Sequence, residues 1–218
     1  SIPEAGVDTQ QATPANHEQV KPSGVITLQR IKNTVLSLGY HWFEDQPNLI
    51  GLRSNLDLPD IFNDFMFLIY KDDSGTEVMK TYQITTDPGV YWLNNPMNIN
   101  GTAVLKPGQY MKSHSIGFHQ NKKDHRALVQ TGKLSVYRDK DKDSLAEATD
   151  FIDTGLFGVN LHGANKATKT GKIGKYSAGC QVFQNWIEKE EFIDIVENFK
   201  DMNDNKFTYT LLKENQII

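Results

Sequence analysis

The chain has 218 residues, of which 38% are hydrophobic and 23% are charged, and no apolar run approaches the ~18 residues that a membrane helix needs. Its formal net charge of −4 provides no overall basic field to attract nucleic acid, and its single cysteine excludes an internal disulfide and a four-cysteine zinc site. We therefore expect one domain with an extension, no membrane insertion and no nucleic-acid partner.

Residues 1–24 are predicted to form a flexible N-terminal arm, because they are mostly small or polar, contain three prolines and show no apolar periodicity. They contain no basic segment followed by an apolar segment, so we expect no signal peptide in this chain. This expectation does not decide whether the protein is exported. From Val25 the apolar residues recur every three or four positions up to Gly39, which predicts an amphipathic helix over 26–38. Residues 25–218 are predicted to form a single domain that includes this helix.

The middle of the chain, residues 64–160, is rich in predicted strands. Turn signals separate the runs FMFLIY, VMKTYQI, KLSVYRD and LFGVNLH. The stretch from Tyr91 to Asp124 has few apolar runs and five asparagines, which predicts that it includes a large loop over one sheet face. After Cys180, NWIEKEEFIDIVENFK predicts a helix with a solvent-facing acidic side, and KFTYTLL predicts a last strand. The predicted fold class is mostly β with flanking helices (α+β).

One stretch, GVNLHGANKATKTGKIGKYSAGCQVF, carries the candidate chemistry. A predicted strand ends at His162-Gly163, and Cys180 follows eighteen residues after His162, behind Ser177 and Gly179. A cysteine nucleophile needs a base within hydrogen-bonding reach and backbone N–H groups that hold the developing oxyanion. We predict that His162 is the base, that Gly179 allows close approach, and that N–H groups near Gly179 and Cys180 hold the oxyanion.

Chain order narrows the classes of cysteine enzyme. All six histidines and all four arginines precede Cys180. Papain-like and NlpC/P60 peptidases are excluded because their cysteine precedes its histidine. Sortases are excluded because they need an arginine after the cysteine. A caspase-like enzyme would need its histidine about 50 residues upstream in a parallel α/β sheet, which this chain does not match. Chymotrypsin-like cysteine peptidases and L,D-transpeptidases, in which the histidine comes first, stay compatible with the chain order.

The remaining pattern resembles the catalytic motif of L,D-transpeptidases of the YkuD type. That motif is HG, roughly 14 to 17 residues including a glycine, then [S/T]HGC; the matching residues are His162-Gly163, Gly174, Ser177, Gly179 and Cys180. YQITTDPGVYW followed by TAVLKPGQY is also similar to the family's upstream strands and turn, so the resemblance covers roughly residues 64–183. It implies an L,D-transpeptidase-like β-sandwich or barrel that acts on peptidoglycan peptides outside the cytoplasm.

The chain departs from the family in its divergent SAGCQ sequence. Ala178 replaces the family's second histidine and Val182 replaces its arginine, so the role of base rests on His162 alone. Lysines 166, 169, 172 and 175 are expected to favour the thiolate and to attract carboxylates. Separations of 6 residues from His119 to His125, and 55 from there to Cys180, disfavour a zinc site, so we expect no metal and no cofactor.

The implied mechanism is acyl transfer through a thioacyl-enzyme. His162 takes the proton of Cys180, the thiolate attacks a peptide carbonyl, and the acyl group passes to an amine of a second stem peptide or to water. Ser177 is expected either to orient these two residues or to cap a turn. The expected substrate-binding residues are Gly163, Lys175, Tyr176, Gln181 and Trp92. Two alternatives stay open: a cysteine peptidoglycan hydrolase (L,D-carboxypeptidase or endopeptidase, as a lysin or toxin), or an inactive wall-binding or phage structural module.

Overall fold

The computed structural model describes residues 24–167 and 169–218. Within these ranges the helices are α1 (Leu28–Ser37), α2 (Val90–Asn94) and α3 (Trp186–Glu197). The strands are β1 (Asn48–Arg53), β2 (Asp64–Lys71), β3 (Glu77–Thr85), β4 (Thr102–Leu105), β5 (Gly108–Phe118), β6 (Arg126–Gln130), β7 (Leu134–Asp139), β8 (Ile152–Gly155), β9 (Leu161–Gly163), β10 (Gln181–Phe183) and β11 (Phe207–Lys213). The predicted class, mostly β with flanking helices, is confirmed. Except for Gly24, the predicted arm lies outside the described residues.

Eight strands close into a barrel in the order β1-β11-β5-β6-β9-β10-β3-β2, and a separate three-stranded sheet has the order β4-β7-β8. Neighbouring barrel strands are antiparallel except for the parallel pairs β1–β11 and β9–β10. The barrel interior is apolar, and α3 packs Phe192 and Val196 into the same core. The site described below lies on the β9–β10 pair.

Helix α1 covers the outside of the barrel. Its fully buried Ile31 and Val35 pack on Ile50 and Leu52 of β1, whose other face points into the barrel. Burial on both faces explains why the middle of β1, LIGL, contains no polar side chain. The helix begins at the N-cap Thr27, whose Oγ1 accepts the Arg30 N–H, and it lies within the predicted span 26–38. Within the described residues, the helices are too short or too polar to cross a membrane.

The stretch from Tyr91 to Asp124 is not mainly loop, because it contains most of α2 and all of β4 and β5. Strand β5 lacks an apolar run because only its middle is buried, while both of its ends are partly or fully exposed. The run LFGVNLH is strand only in its last part, at β9, where pairing with β6 and β10 supplies the backbone partners.

Candidate active site

Strand pairing brings His162 and Cys180 together. In the parallel pair β9–β10, Val182 lies opposite His162 and Gln181 lies opposite Leu161. Cys180 directly precedes β10 and therefore lies beside Asn160, whose backbone N–H points at Sγ at 3.5 Å. The thiol donates to the carbonyl of Gly158 at 3.3 Å. Cys180 is partly buried.

The turn before the thiol is shaped by a buried serine and by a glycine with positive φ. Ser177 Oγ donates to the Cys180 carbonyl at 2.8 Å and accepts the Gly179 N–H at 3.2 Å. The serine therefore caps the turn, and in doing so it fixes Cys180. Gly179 has φ of 126°, and a Cβ there would lie 2.6 Å from the Ala103 carbonyl oxygen, so a side chain does not fit. The N–H groups of Gly179 and Cys180 were both expected to hold an oxyanion. The Gly179 N–H donates to Ser177 Oγ instead, so only the Cys180 N–H is left for that role.

His162 is held in one tautomer. Its Nδ1 lies 2.9 Å from the Gly163 carbonyl oxygen, and because a carbonyl only accepts, Nδ1 carries the proton and Nε2 carries the lone pair. Nε2 is buried and has no hydrogen-bond partner in the described part of the chain. Burial, followed by the proximity of His119, lowers the pKa of His162 well below its usual value. The ring is therefore neutral, with a free acceptor atom.

Two histidines that the sequence analysis did not place in the site lie against His162. His119 donates its backbone N–H to the His125 carbonyl at 2.9 Å, across the hairpin that joins β5 to β6. The His119 ring stacks on His162 with 3.8 Å between centroids, and the His125 ring lies 5.3 Å from His162. Burial lowers the pKa of both His119 and His125 to about 4. The site is therefore a cluster of three neutral imidazoles beside one thiol.

The cluster has donor atoms that suit a metal. One ring nitrogen each from His119 and His162 and the sulfur of Cys180 lie within 4.8 Å of one another. The expectation against a zinc site was based on sequence separation, which does not reflect distance in the fold, because the β6–β9 pairing brings the hairpin histidines to the end of β9. A second group, Asp141, Asp143 and Glu147, lies on the exposed surface, where acidic groups are common without an ion.

The expected effect of the lysines on the thiol is not seen. Burial raises the pKa of the Cys180 thiol to about 11, with only the Asn160 backbone N–H acting in the opposite direction. Lys166 instead forms an ion pair with Asp124, and Lys175 Nζ lies 4.1 Å from the centre of the Tyr91 ring. Lysine charge therefore does not lower the pKa of this thiol.

The predicted substrate-binding residues separate into two groups. Gln181 is fully buried and its Oε1 accepts from Tyr209 Oη at 2.8 Å, so the structure corrects it to a core residue. Gly163 is also buried, packed against the Trp186 ring, and orients His162 through its carbonyl. Lys175, Tyr176 and Trp92 remain accessible to different degrees, and Trp92 Nε1 donates to the Lys175 carbonyl at 3.1 Å.

A cavity of about 280 Å³ lies next to the thiol turn. Its lining includes Ala178, Trp92, Phe157 and Arg138. The Arg138 guanidinium donates to Asp153 and lies over the Phe157 ring, 4.7 Å from its centre. The cavity is therefore partly aromatic, with one guanidinium at its wall.

Comparison with known proteins identifies no relative of this chain. No protein-family model, curated protein or solved structure matches the chain. Function is therefore inferred from the geometry of the site.

Proposed function

We propose that the protein is a cysteine-dependent acyl transferase of the L,D-transpeptidase type, in which Cys180 forms a thioacyl-enzyme and His162 is the general base. The observation that carries this proposal is the lone pair of His162 Nε2. This atom is buried without a hydrogen-bond partner among residues 24–167 and 169–218, in a ring that has a nitrogen within 4.8 Å of Cys180 Sγ. The unpaired lone pair of His162 Nε2 can therefore accept the proton of the Cys180 thiol.

The reaction proceeds in two halves. Nε2 takes the thiol proton as sulfur attacks the peptide carbonyl carbon, and the Cys180 N–H stabilises the oxyanion. Collapse of the tetrahedral intermediate breaks the peptide C–N bond, and the leaving amine takes the proton from His162 Nε2. An amine of a second peptide then attacks the thioester and releases the thiol. Throughout, the Gly163 carbonyl holds Nδ1–H and stabilises the transient imidazolium.

A thiol whose pKa is raised to about 11 stays protonated in the free enzyme. Proton transfer to His162 is therefore coupled to attack on the substrate rather than completed before it. Catalytic hydrogen bonds are often long in free enzymes and shorten when substrate binds, which is compatible with a sulfur–nitrogen separation below 4.8 Å.

The proposed substrates are peptidoglycan stem peptides, met outside the cytoplasm. The cavity beside Ala178 has room for part of a peptide, with Trp92 and Phe157 as apolar walls. Arg138 supplies the guanidinium that position 182 lacks, although Asp153 already neutralises part of its charge.

The test is direct capture of the thioacyl-enzyme. The chain is treated with a chelator and incubated with a disaccharide–tetrapeptide fragment, and the mass of the intact protein is measured. We expect an adduct that is absent in Cys180→Ala, strongly reduced in His162→Ala, and unchanged in His41→Ala, a control at an exposed histidine.

The products separate the alternatives. Crosslinked or exchanged peptides indicate a transferase, whereas fragments alone indicate the hydrolase. The raised pKa of the thiol favours the third alternative, an inactive module. Wall binding that is unaffected by Cys180→Ala, together with no adduct, would overturn the proposed reaction.

A further inference from the structure

The cluster of His119, His162 and Cys180 offers two nitrogens and one sulfur within 4.8 Å of one another. We propose that it binds a soft divalent cation, Zn²⁺ in the first instance, and that the bound cation reversibly blocks the thiol. Bond lengths of 2.0–2.1 Å to nitrogen and 2.3 Å to sulfur place tetrahedral ligand atoms about 3.3 to 3.6 Å apart. The three atoms therefore need to approach one another by about 1.5 Å at most, a distance that side-chain rotations can cover.

The buried Nε2 of His162 points independently to a ligand. The His162 residue is 2% exposed, and Nε2 has no hydrogen-bond partner in the described residues. A buried acceptor without a partner is costly, and a cation at this atom would satisfy it. The other nitrogen already donates to the Gly163 carbonyl, which is the arrangement that orients metal-binding histidines.

His125 is the candidate fourth ligand. Its Nε2 is also a buried atom without a hydrogen-bond partner in the part of the chain that the structure describes. Its ring centre lies 4.9 Å from that of His119, the residue paired with it across the hairpin. A shift of this hairpin toward Cys180 would complete a four-coordinate site of three nitrogens and one sulfur.

The donor set determines which cations fit. Imidazole and thiolate ligands without a carboxylate favour Zn²⁺ and Co²⁺ over Mg²⁺ and Ca²⁺. Lys122 and Lys189 lie near enough to lower the pKa values of the histidines, and their charge opposes a cation. The thiolate offsets this repulsion: the S–H bond breaks, the Zn–S bond forms, and the proton leaves to solvent.

Binding also requires one hydrogen bond to give way. Asn160 Nδ2 donates to His119 Nδ1 at 3.1 Å, while its Oδ1 accepts the Gln130 N–H. A cation at Nδ1 takes the place of this amide hydrogen. Cation binding itself does not depend on the proposed activity, whereas inhibition does, because the cation occupies the same sulfur and lone pair as the reaction.

The test is a cobalt titration of the full chain after chelator treatment. We expect a single equivalent of Co²⁺ to give sulfur-to-cobalt charge-transfer absorption, which Zn²⁺ abolishes by displacement. Cys180→Ser should lose the charge-transfer absorption. His119→Ala and His162→Ala should each weaken Zn²⁺ binding by at least about 100-fold, since loss of a residue that only orients a ligand already costs 10–100-fold. The exposed control His41→Ala should bind as the starting protein does.

Two results would overturn the site: absence of charge-transfer absorption at one equivalent, or unchanged Zn²⁺ affinity in His119→Ala. If a variant fails to fold, the unmutated protein provides the test. Zn²⁺ must slow the alkylation of its Cys180 by iodoacetamide, and a chelator must restore the rate. Cobalt binding without an acyl adduct would reject the proposed reaction alone. An adduct without cobalt binding would reject the metal site alone.

Discussion

Replacing Ser177 with alanine tests whether the serine turn holds the thiol in place. Ser177 is fully buried, and its hydroxyl bonds both the Cys180 carbonyl and the Gly179 N–H. Loss of the bond to the carbonyl costs about 1 kcal/mol, and a buried N–H left without a partner costs about 2 kcal/mol more. We therefore expect Ser177→Ala to lower the free energy of unfolding by about 3 kcal/mol.

Urea unfolding followed by circular dichroism measures this loss. The matched control is Ser135→Ala, which removes one hydroxyl–hydroxyl contact to Thr154 in an exposed setting and should cost less than about 1 kcal/mol. Alkylation of Cys180 provides the second readout, and its rate should change only in Ser177→Ala. Equal losses in the two variants, with equal alkylation rates, would refute the assigned role of Ser177.

Three further predictions follow from the packing, charge and protonation of other residues. Gly163→Ala places a Cβ 2.8 Å from the Trp186 ring; we expect a loss of about 1–3 kcal/mol and altered tryptophan fluorescence, and an unchanged urea midpoint would contradict the close contact. Burial lowers the pKa of His114 to about 4 from 6.5, so the unfolded chain binds this proton first as pH falls. The contribution of His114 to the free energy of unfolding should therefore fall by about 3 kcal/mol between pH 6.5 and 4. The urea midpoint should depend less on pH over this range in His114→Gln than in the unmutated protein. Arg126→Met removes one guanidinium that contacts three α3 carboxylates; we expect a loss of about 1–2 kcal/mol at low salt, smaller at high salt, and a salt-independent loss would exclude an electrostatic cause.

Local patterns predicted much of the fold. Helices α1 and α3 follow from apolar spacing, and the strands β2, β3, β7 and β11 follow from apolar or alternating runs between turn residues. Strand β5 was missed because its exposed ends carry polar residues, so its stability comes from backbone pairing with β6 and β11. Among the α3 carboxylates predicted to face solvent, Glu188 and Glu190 are only partly exposed, and Glu190 forms an ion pair with Arg126.

Only the part of the candidate site that forms a continuous sequence motif could be predicted. His162 and Cys180 were found because their spacing matches a motif. His119 and His125 were set aside because of their sequence separation, which carries no information about the hairpin that brings them to β9. Two histidines that flank a turn between strands were the available signal. Gln181 was misassigned because burial is invisible in a motif match.

The order of strands in the barrel has a consequence for synthesis. Strand β11 pairs with both β1 and β5, so the barrel stays open until residues 207–213 have left the ribosome. The strands that carry His162 and Cys180 emerge earlier and can pair while β1 and β5 still expose backbone edges. Such edges are sites of misassembly between nascent chains. A chain truncated before β11 should therefore aggregate through these two edges, even though it contains every residue of the candidate site.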